Sequence, residues 1–232
     1  MSLSPLPSLV LVRTDTPSSP TSTRTFSTFT QEGTGVVLFN AQHAFNADTN
    51  EYSSTLYSGR DYRGTVSLDY INVGSQEATK ADKFYRLQGW FSKRRLFKLG
   101  QSGIWASWDN EREDGAMQLV DVKSKAVLAR IVPVETAPES LLPFKTRLTF
   151  SPALTAVLCP PSPASSSTSL SSPLSTPSSL FPSAPVPSIT LPLVLIVLTW
   201  LHQDYFRLEE RRVAAEKERE KEDEKDPANR AF

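Results

Sequence analysis

The sequence has few of the residues that most catalytic and metal chemistry requires. It contains one cysteine, Cys159, and two histidines, His43 and His202, in 232 residues. A single cysteine cannot form an intrachain disulfide framework, so we expect a reducing, intracellular and cytoplasmic environment. Neither histidine has a motif neighbour, and a zinc site needs about four ligands at motif spacing. We therefore predict no catalytic residues, no metal and no cofactor.

An excess of charge is also lacking. Lys and Arg together number 25, as do Asp and Glu, so the formal net charge is zero. Nucleic-acid-binding domains usually carry a basic surface, so no nucleic acid partner is predicted. The first residues lack a basic stretch followed by an apolar run long enough for secretion, so no signal peptide is expected.

Large apolar side chains are scarce in two stretches. Residues 14–28 are mostly Ser, Thr and Pro, so residues 1–34 are predicted to form an arm with at most a first strand. Residues 160–188 contain 12 Ser, 8 Pro and 2 Thr among 29 residues and no charge. This composition cannot build a core, so residues 159–188 are predicted to be a disordered insert. The alternative is that this uncharged Ser/Pro tract is a translated intron.

Residues 35–158 have the pattern of an antiparallel β-domain. Short β-branched and aromatic runs alternate with Gly, Asn, Asp and Pro, which are turn residues. The predicted strands are residues 35–40, 52–58, 64–73, 84–90, 94–99, 104–108, 116–122, 126–133 and 145–150. Eight or nine strands of this length predict a barrel or a sandwich.

One apolar run follows the insert. Residues 191–201 are apolar except for Thr199, so a helix there has no polar face and must be surrounded on all sides. We predict that residues 189–208 form a helix that completes the β-domain. Its predicted core residues are Leu193, Ile196, Val197, Trp200 and Leu201. Beyond it, residues 209–232 are predicted to be a charged helical tail, which ends before Pro227.

A membrane segment is the alternative interpretation of the same run. Its 11 to 13 apolar residues would rise only about 16 to 20 Å as a helix, and a bilayer core is about 30 Å thick. A buried core helix is therefore favoured. A single-pass or tail-anchored membrane protein that uses about residues 189–201 stays open.

A basic cluster is the candidate binding site. It consists of Lys93, Arg94, Arg95 and Lys98. The cluster lies beside Trp90 and Phe97, and an anionic lipid or phosphoinositide headgroup would need such positive charge. The alternative is an edge strand whose charges prevent edge-to-edge aggregation.

Short motifs resemble an uncharacterised fungal family, the domain of unknown function 6593. They are residues 53–61 (SSTLYSGRD), 64–68 (GTVSL), 97–108, 119–121 (LVD) and 127–130 (VLAR), with the apolar-to-charged ending at 193–212. The pattern of short strands followed by an apolar segment is also similar to that of tubby-like and LURP-one-type barrels, in which antiparallel strands surround an apolar helix. The resemblance implies a mainly β, tubby-like barrel around the C-terminal helix and brings no established activity.

The function predicted from these observations is binding or scaffolding without catalysis. The expected partner is an anionic lipid or another protein, and association with a membrane is compatible with either.

Overall fold

The computed structural model describes residues 9–17, 25–46, 51–87, 95–109, 116–135, 145–158 and 189–225. These residues form thirteen strands and three helices. The strands are β1 (Val10–Pro17), β2 (Thr25–Gln31), β3 (Val37–Asn46), β4 (Glu51–Ser58), β5 (Asp61–Ser67), β6 (Tyr70–Val73), β7 (Thr79–Lys80), β8 (Arg86–Leu87), β9 (Arg95–Lys98), β10 (Trp105–Asp109), β11 (Met117–Asp121), β12 (Val127–Glu135) and β13 (Lys145–Phe150). The helices are α1 (Ala81–Phe84), α2 (Pro152–Leu158) and α3 (Leu191–Lys225).

All thirteen strands belong to one antiparallel sheet with a simple order. Strands β1 to β7 pair in succession, as do β8 to β13, and β1 pairs with β13. Among the described strands, β7 and β8 are consecutive but do not pair. The six Cα steps from Lys80 to Arg86 can span at most about 22 Å. The two ends of the sheet therefore lie near each other, and the sheet is rolled with its hydrogen-bond ladder open between β7 and β8.

Helix α3 lies inside this rolled sheet. Every side chain from Leu193 to Leu201 is buried. Strands from both halves of the sheet contact the helix. The ring of Phe29 in β2 packs edge-on against Trp200 with 5.4 Å between centroids, and Trp108 Nε1 in β10 donates to Thr199 Oγ1 at 3.0 Å. The prediction of a mainly β, antiparallel fold around an apolar C-terminal helix is confirmed.

The five predicted core residues of the helix are in the core. Their exposed fractions are 1% or less: Leu193 0%, Ile196 0%, Val197 0%, Trp200 1% and Leu201 1%. A helix that is apolar on all sides is stable in water only where other elements cover each side, and here the inner faces of the strands do so.

A glycine allows two strands and the helix to meet closely. A Cβ atom on Gly64 would lie 2.4 Å from the carbonyl oxygen of Asn72 and 2.6 Å from Leu198 Cδ1. Both distances are shorter than real Cβ contacts, so only glycine fits at this position of β5. Gly64 thereby determines how near β6 and α3 can approach.

The N-terminal region differs from the prediction. Residues 14–28 were expected to form an arm, but β1 and β2 lie in the middle of the sheet and β1 joins its two halves. Leu11 and Phe29 point inward and are fully buried, and the Thr residues between them are β-branched and suited to strands. The expectation of an arm is therefore wrong for β2. The prediction allowed for one strand within residues 1–34, and β1 is that strand.

Other boundaries also change. The strand predicted at 64–73 is divided into β5 and β6. Of the strand predicted at 84–90, Phe84 is the last residue of α1 and Arg86–Leu87 form β8, and residues 88–90 lie outside the described residues. Helix α3 continues without a break from its apolar part through the charged tail to Lys225, just before Asp226 and Pro227. Its 35 residues are about 52 Å long. The predicted insert, residues 159–188, lies outside the described residues.

Candidate functional site

Several polar side chains of α3 follow Trp200, and Asp204 lies about one turn after it. The Asp204 carboxylate accepts a hydrogen bond from Arg13 Nη1 of β1, and Arg13 Nε donates to Asp15 Oδ1 at 2.8 Å. The guanidinium carbon of Arg13 also lies 5.4 Å from the centroid of the Trp200 ring. Burial opposes the charge of Arg13, but the two carboxylates raise its pKa above the usual value. Burial raises the pKa of Asp204, although Arg13 opposes this.

A chain of hydrogen bonds runs across the inner wall beside this ion pair. It joins the side chains of Tyr205, Ser54, His43, Ser27 and Asp15. His43 Nδ1 is 2.5 Å from Ser54 Oγ, and His43 Nε2 is 2.6 Å from Ser27 Oγ. Ser54 also bonds the Tyr205 hydroxyl, and Ser27 donates to Asp15. The chain therefore links α3 with β4, β3, β2 and β1.

The donors of this chain follow from Asp15. A carboxylate only accepts hydrogen bonds, so the Ser27 hydroxyl donates to Asp15. The Ser27 oxygen then accepts a hydrogen bond from His43 Nε2–H. The other nitrogen of a neutral imidazole is an acceptor, so Ser54 donates to His43 Nδ1 and Tyr205 donates to Ser54. Burial, with a smaller contribution from Arg13, lowers the pKa of His43 to about 4, so the neutral form is present at pH 7.

This Ser, His and Asp set is not a catalytic triad. In a triad the serine hydroxyl gives its proton to histidine, whereas here His43 donates to Ser27 and Ser27 donates to Asp15. Ser27 is also 0% exposed. The arrangement holds the helix against the strands and presents no nucleophile to a substrate.

The second histidine is also held in one form. His202 Nε2 lies 3.1 Å from the Leu68 carbonyl oxygen, which can only accept, so Nε2 carries the proton. Nδ1 then accepts from the Tyr85 hydroxyl at 2.9 Å, and the two rings stack with 5.3 Å between centroids. Burial lowers the pKa of His202 to about 4. Both histidines are structural in this arrangement.

A cleft lies where α3 leaves the sheet, at the gap between β7 and β8. This first cleft has a volume of about 760 Å³. Its lining residues are Leu68, Asp69, Tyr70, Lys80, Ala81, Asp82, Tyr85, Leu87, Arg95, Phe206 and Glu209. Six of these eleven residues are aromatic or aliphatic, and five are charged. Ligand sites commonly combine apolar walls with polar groups.

The basic cluster predicted from the sequence is divided by the strand geometry. Arg95 lies in the first cleft, and its guanidinium carbon is 3.4 Å from the centroid of the Phe206 ring. Phe97 shares that inner face and is fully buried. Lys98 is exposed and points to the opposite face, because successive residues of a strand alternate. Arg95 and Lys98 therefore do not form one patch, and Lys93 and Arg94 lie outside the described residues.

A second cleft lies beside the same exit of α3. It has a volume of about 400 Å³. Its lining residues are Glu51, Tyr52, Leu68, Asp69, Tyr205, Leu208, Glu209, Arg211, Arg212 and Ala215. Leu68, Asp69 and Glu209 belong to both clefts. The tyrosines of the second cleft are Tyr52 and Tyr205, whereas those of the first are Tyr70 and Tyr85, and the second cleft lacks Arg95.

Two further properties concern only the described part of the chain. No group of three or more His, Cys, Asp or Glu residues is placed to hold a metal ion there. Likewise, none of the helices described has an apolar stretch long enough to cross a membrane. Cys159 lies outside the described residues.

Comparison with known proteins finds no matching family model, no similar curated protein and no similar solved structure. The resemblance to the fungal family and to tubby-like barrels therefore stays an interpretation of the sequence, and the site has to be interpreted from its own geometry.

Proposed function

We propose that this protein is a non-enzymatic binding module that holds an amphipathic ligand with one anionic group in the first cleft. The observation that carries the proposal is Arg95, a half-buried cation stacked on Phe206 inside a cleft with mostly apolar walls. The intracellular location expected from the sequence is part of this proposal.

The placement of Arg95 suits an anion. Stacking uses the flat face of the guanidinium, so its N–H groups remain at the edge to bond a carboxylate or a phosphate. Burial lowers the pKa of Arg95, but an arginine stays protonated in proteins. A partly desolvated cation gains more from a bound anion than one in water does, because the surrounding dielectric is lower.

The apolar walls suit the rest of the ligand. Leu68, Leu87 and the rings of Tyr70 and Phe206 line the cleft, and Leu87 is 64% exposed. Covering such side chains with a hydrocarbon chain is favourable by about 25 cal/mol for each Å² removed from water.

The charges of the lining favour one anionic group over several. The cations are Lys80 and Arg95, and the carboxylates are Asp69, Asp82 and Glu209. Three negative groups against two positive ones would repel a phosphoinositide headgroup, which carries several charges. The proposal therefore narrows the anionic lipid expected from the sequence to a single-charge species such as a fatty acid.

Titration with oleate, followed by calorimetry below its micelle concentration, tests this function. We expect saturable binding to the full chain and a loss of about tenfold or more in Arg95→Gln, because a hydrogen bond to a charged group is worth about 1.5 to 3 kcal/mol. Lys98→Gln is the matched control, since Lys98 is on the same strand and faces away. It should bind oleate as the unchanged protein does.

Oleyl alcohol has the same hydrocarbon chain as oleate but no charge, so it tests the contribution of the anionic group. Its affinity for the unchanged protein should be no higher than the affinity of oleate for Arg95→Gln. An absence of saturable oleate binding, or an equal loss in Arg95→Gln and Lys98→Gln, would contradict the proposed function.

A further inference from the structure

We infer that the second cleft is a separate site for a quaternary trimethylammonium group, the cationic end of choline and of trimethyllysine. The inference does not depend on the proposed function, because neither Arg95 nor any other residue that would bind the anion is needed for it. It rests on the tyrosine wall of the cleft, on its apolar floor and on the balance of its charges.

The aromatic wall is held in place by contacts on both sides. The Tyr52 ring lies 4.6 Å from Phe45 and 6.2 Å from Tyr205, measured between centroids. The Tyr205 hydroxyl is bonded to Ser54, so its ring has a fixed orientation. Tyr52 nevertheless remains 48% exposed. Aromatic faces attract cations through their quadrupole, and a rigid, accessible ring loses little freedom when one binds.

The floor of the cleft explains why the cation should carry methyl groups. Leu68, Leu208 and Ala215 are aliphatic. The N–H groups of an ammonium or guanidinium that face these three residues would find no acceptor on them, so only those that face the carboxylates of the lining would be bonded. A trimethylammonium group has no N–H and presents only methyl carbons, so the same surface suits it.

The charges of the lining are negative in balance. Three carboxylates, Glu51, Asp69 and Glu209, stand against Arg211 and Arg212. Arg212 and Glu209 are paired with each other, since Arg212 donates to Glu209 at 2.6 and 2.9 Å, and Arg212 also donates to Glu216 at 2.6 Å. Glu51 and Asp69 then stand against Arg211. Glu51 and the exposed Tyr52 both line the cleft. The first cleft has the same balance of charges, but there the half-buried Arg95 offers a site for an anion, whereas both arginines of the second cleft are exposed. The second cleft therefore suits a cation better than the first does.

The test uses choline and Nα-acetyl-trimethyllysine amide as probes and observes their methyl protons by NMR while the full chain is added. A cation over a tyrosine face should give a saturable upfield ring-current shift. Tyr52→Leu should weaken binding by about 2- to 30-fold, as expected for one cation–π contact, while Tyr52→Phe should keep it. The probe that binds more tightly indicates the source of the group.

Matched controls separate this site from general surface effects. Tyr62→Leu removes a tyrosine that is 40% exposed and lies outside the cleft, and it should leave binding unchanged. Glu51→Gln should weaken binding by a few-fold without touching the core. Arg95→Gln should bind both probes normally even if its oleate binding is lost.

The charge of the probe is tested with the neutral isostere of choline, in which a tert-butyl group replaces trimethylammonium. The inference predicts much weaker binding of this alcohol. Equal binding of the alcohol, an equal loss in Tyr62→Leu, or the absence of a saturable shift would overturn it.

Discussion

At the scale of residues, the polar side chains of α3 determine how the helix sits in the sheet. The apolar residues before them would tolerate a small rotation or shift of the helix. The polar ones have partners on separate elements: Thr199, His202, Asp204 and Tyr205. Moving the helix would leave buried polar groups without partners, which costs more than the bonds contribute. We interpret the buried Arg13–Asp204 pair as a means of fixing helix position, since such pairs add little net stability.

Stability should fall between pH 6.5 and 4 because of the two buried histidines. Their pKa is about 4 in the folded protein and about 6.5 in the unfolded chain. Above pH 6.5 both states are neutral and the histidines contribute nothing. Below it the unfolded chain takes up protons first, so each histidine can remove up to about 3 kcal/mol from the free energy of unfolding. Urea unfolding at a series of pH values measures this.

The histidine contribution can be isolated by substitution. His43→Gln should reduce the slope of stability against pH in this range, whereas Lys98→Gln should keep it. Asp204 acts with the opposite sign, because its raised pKa lets the folded protein take up a proton more readily. The comparison is therefore made between variants at the same pH. An unchanged slope in His43→Gln would mean that His43 has the same pKa in the folded protein as in the unfolded chain.

At the scale of elements, β5, β6 and α3 approach one another closely at Gly64. Gly64→Ala should destabilise the protein by about 1 to 3 kcal/mol, because the new methyl group overlaps the Asn72 carbonyl oxygen and Leu198. Urea unfolding measures the loss. Thr65→Ala, at the next position of the same strand, should cost less. A Gly64→Ala protein as stable as the unchanged one would show that β6 can move away.

The elements also show what the sequence could predict. Helix α3 was predictable because residues 191–201 leave no polar face, and only an enclosed helix can have that pattern. Strand β2 was missed because its surroundings are rich in Ser and Pro. In addition, Phe26 is exposed and Ser27 is buried, so the alternation of polar and apolar residues around Phe29 was hidden. Arg95 and Lys98 lie on opposite faces of β9, which follows from the two-residue period of a strand. The prediction missed this because it treated the four basic residues as one patch.

The polar network was beyond prediction for a different reason. Ser54 and Tyr205 are 151 residues apart, and Arg13 and Asp204 are 191 apart. No local motif records such a contact, because it exists only once the sheet has rolled around the helix. The clefts have the same origin, since both lie where α3 leaves the sheet.

At the scale of the whole molecule, α3 should stay bound after the chain is cut before it. A specific protease site placed between residues 160 and 188 separates the strands from the helix covalently but leaves its buried contacts. After cleavage, we expect the two fragments to elute together in size-exclusion chromatography and to separate only in denaturant. Separation in native buffer would contradict the enclosed position of α3.

The enclosed position of α3 also has a consequence for biosynthesis. The last strand of the sheet ends at Phe150, and the buried part of α3 reaches Tyr205, which is 55 residues later. At about 5 to 20 residues per second, a ribosome needs roughly 3 to 11 s to make that stretch. During this interval every strand exists but the sheet has nothing to close upon. The nascent chain therefore has to keep its apolar inner surfaces from aggregating, so we expect it to depend on chaperones until translation is almost complete.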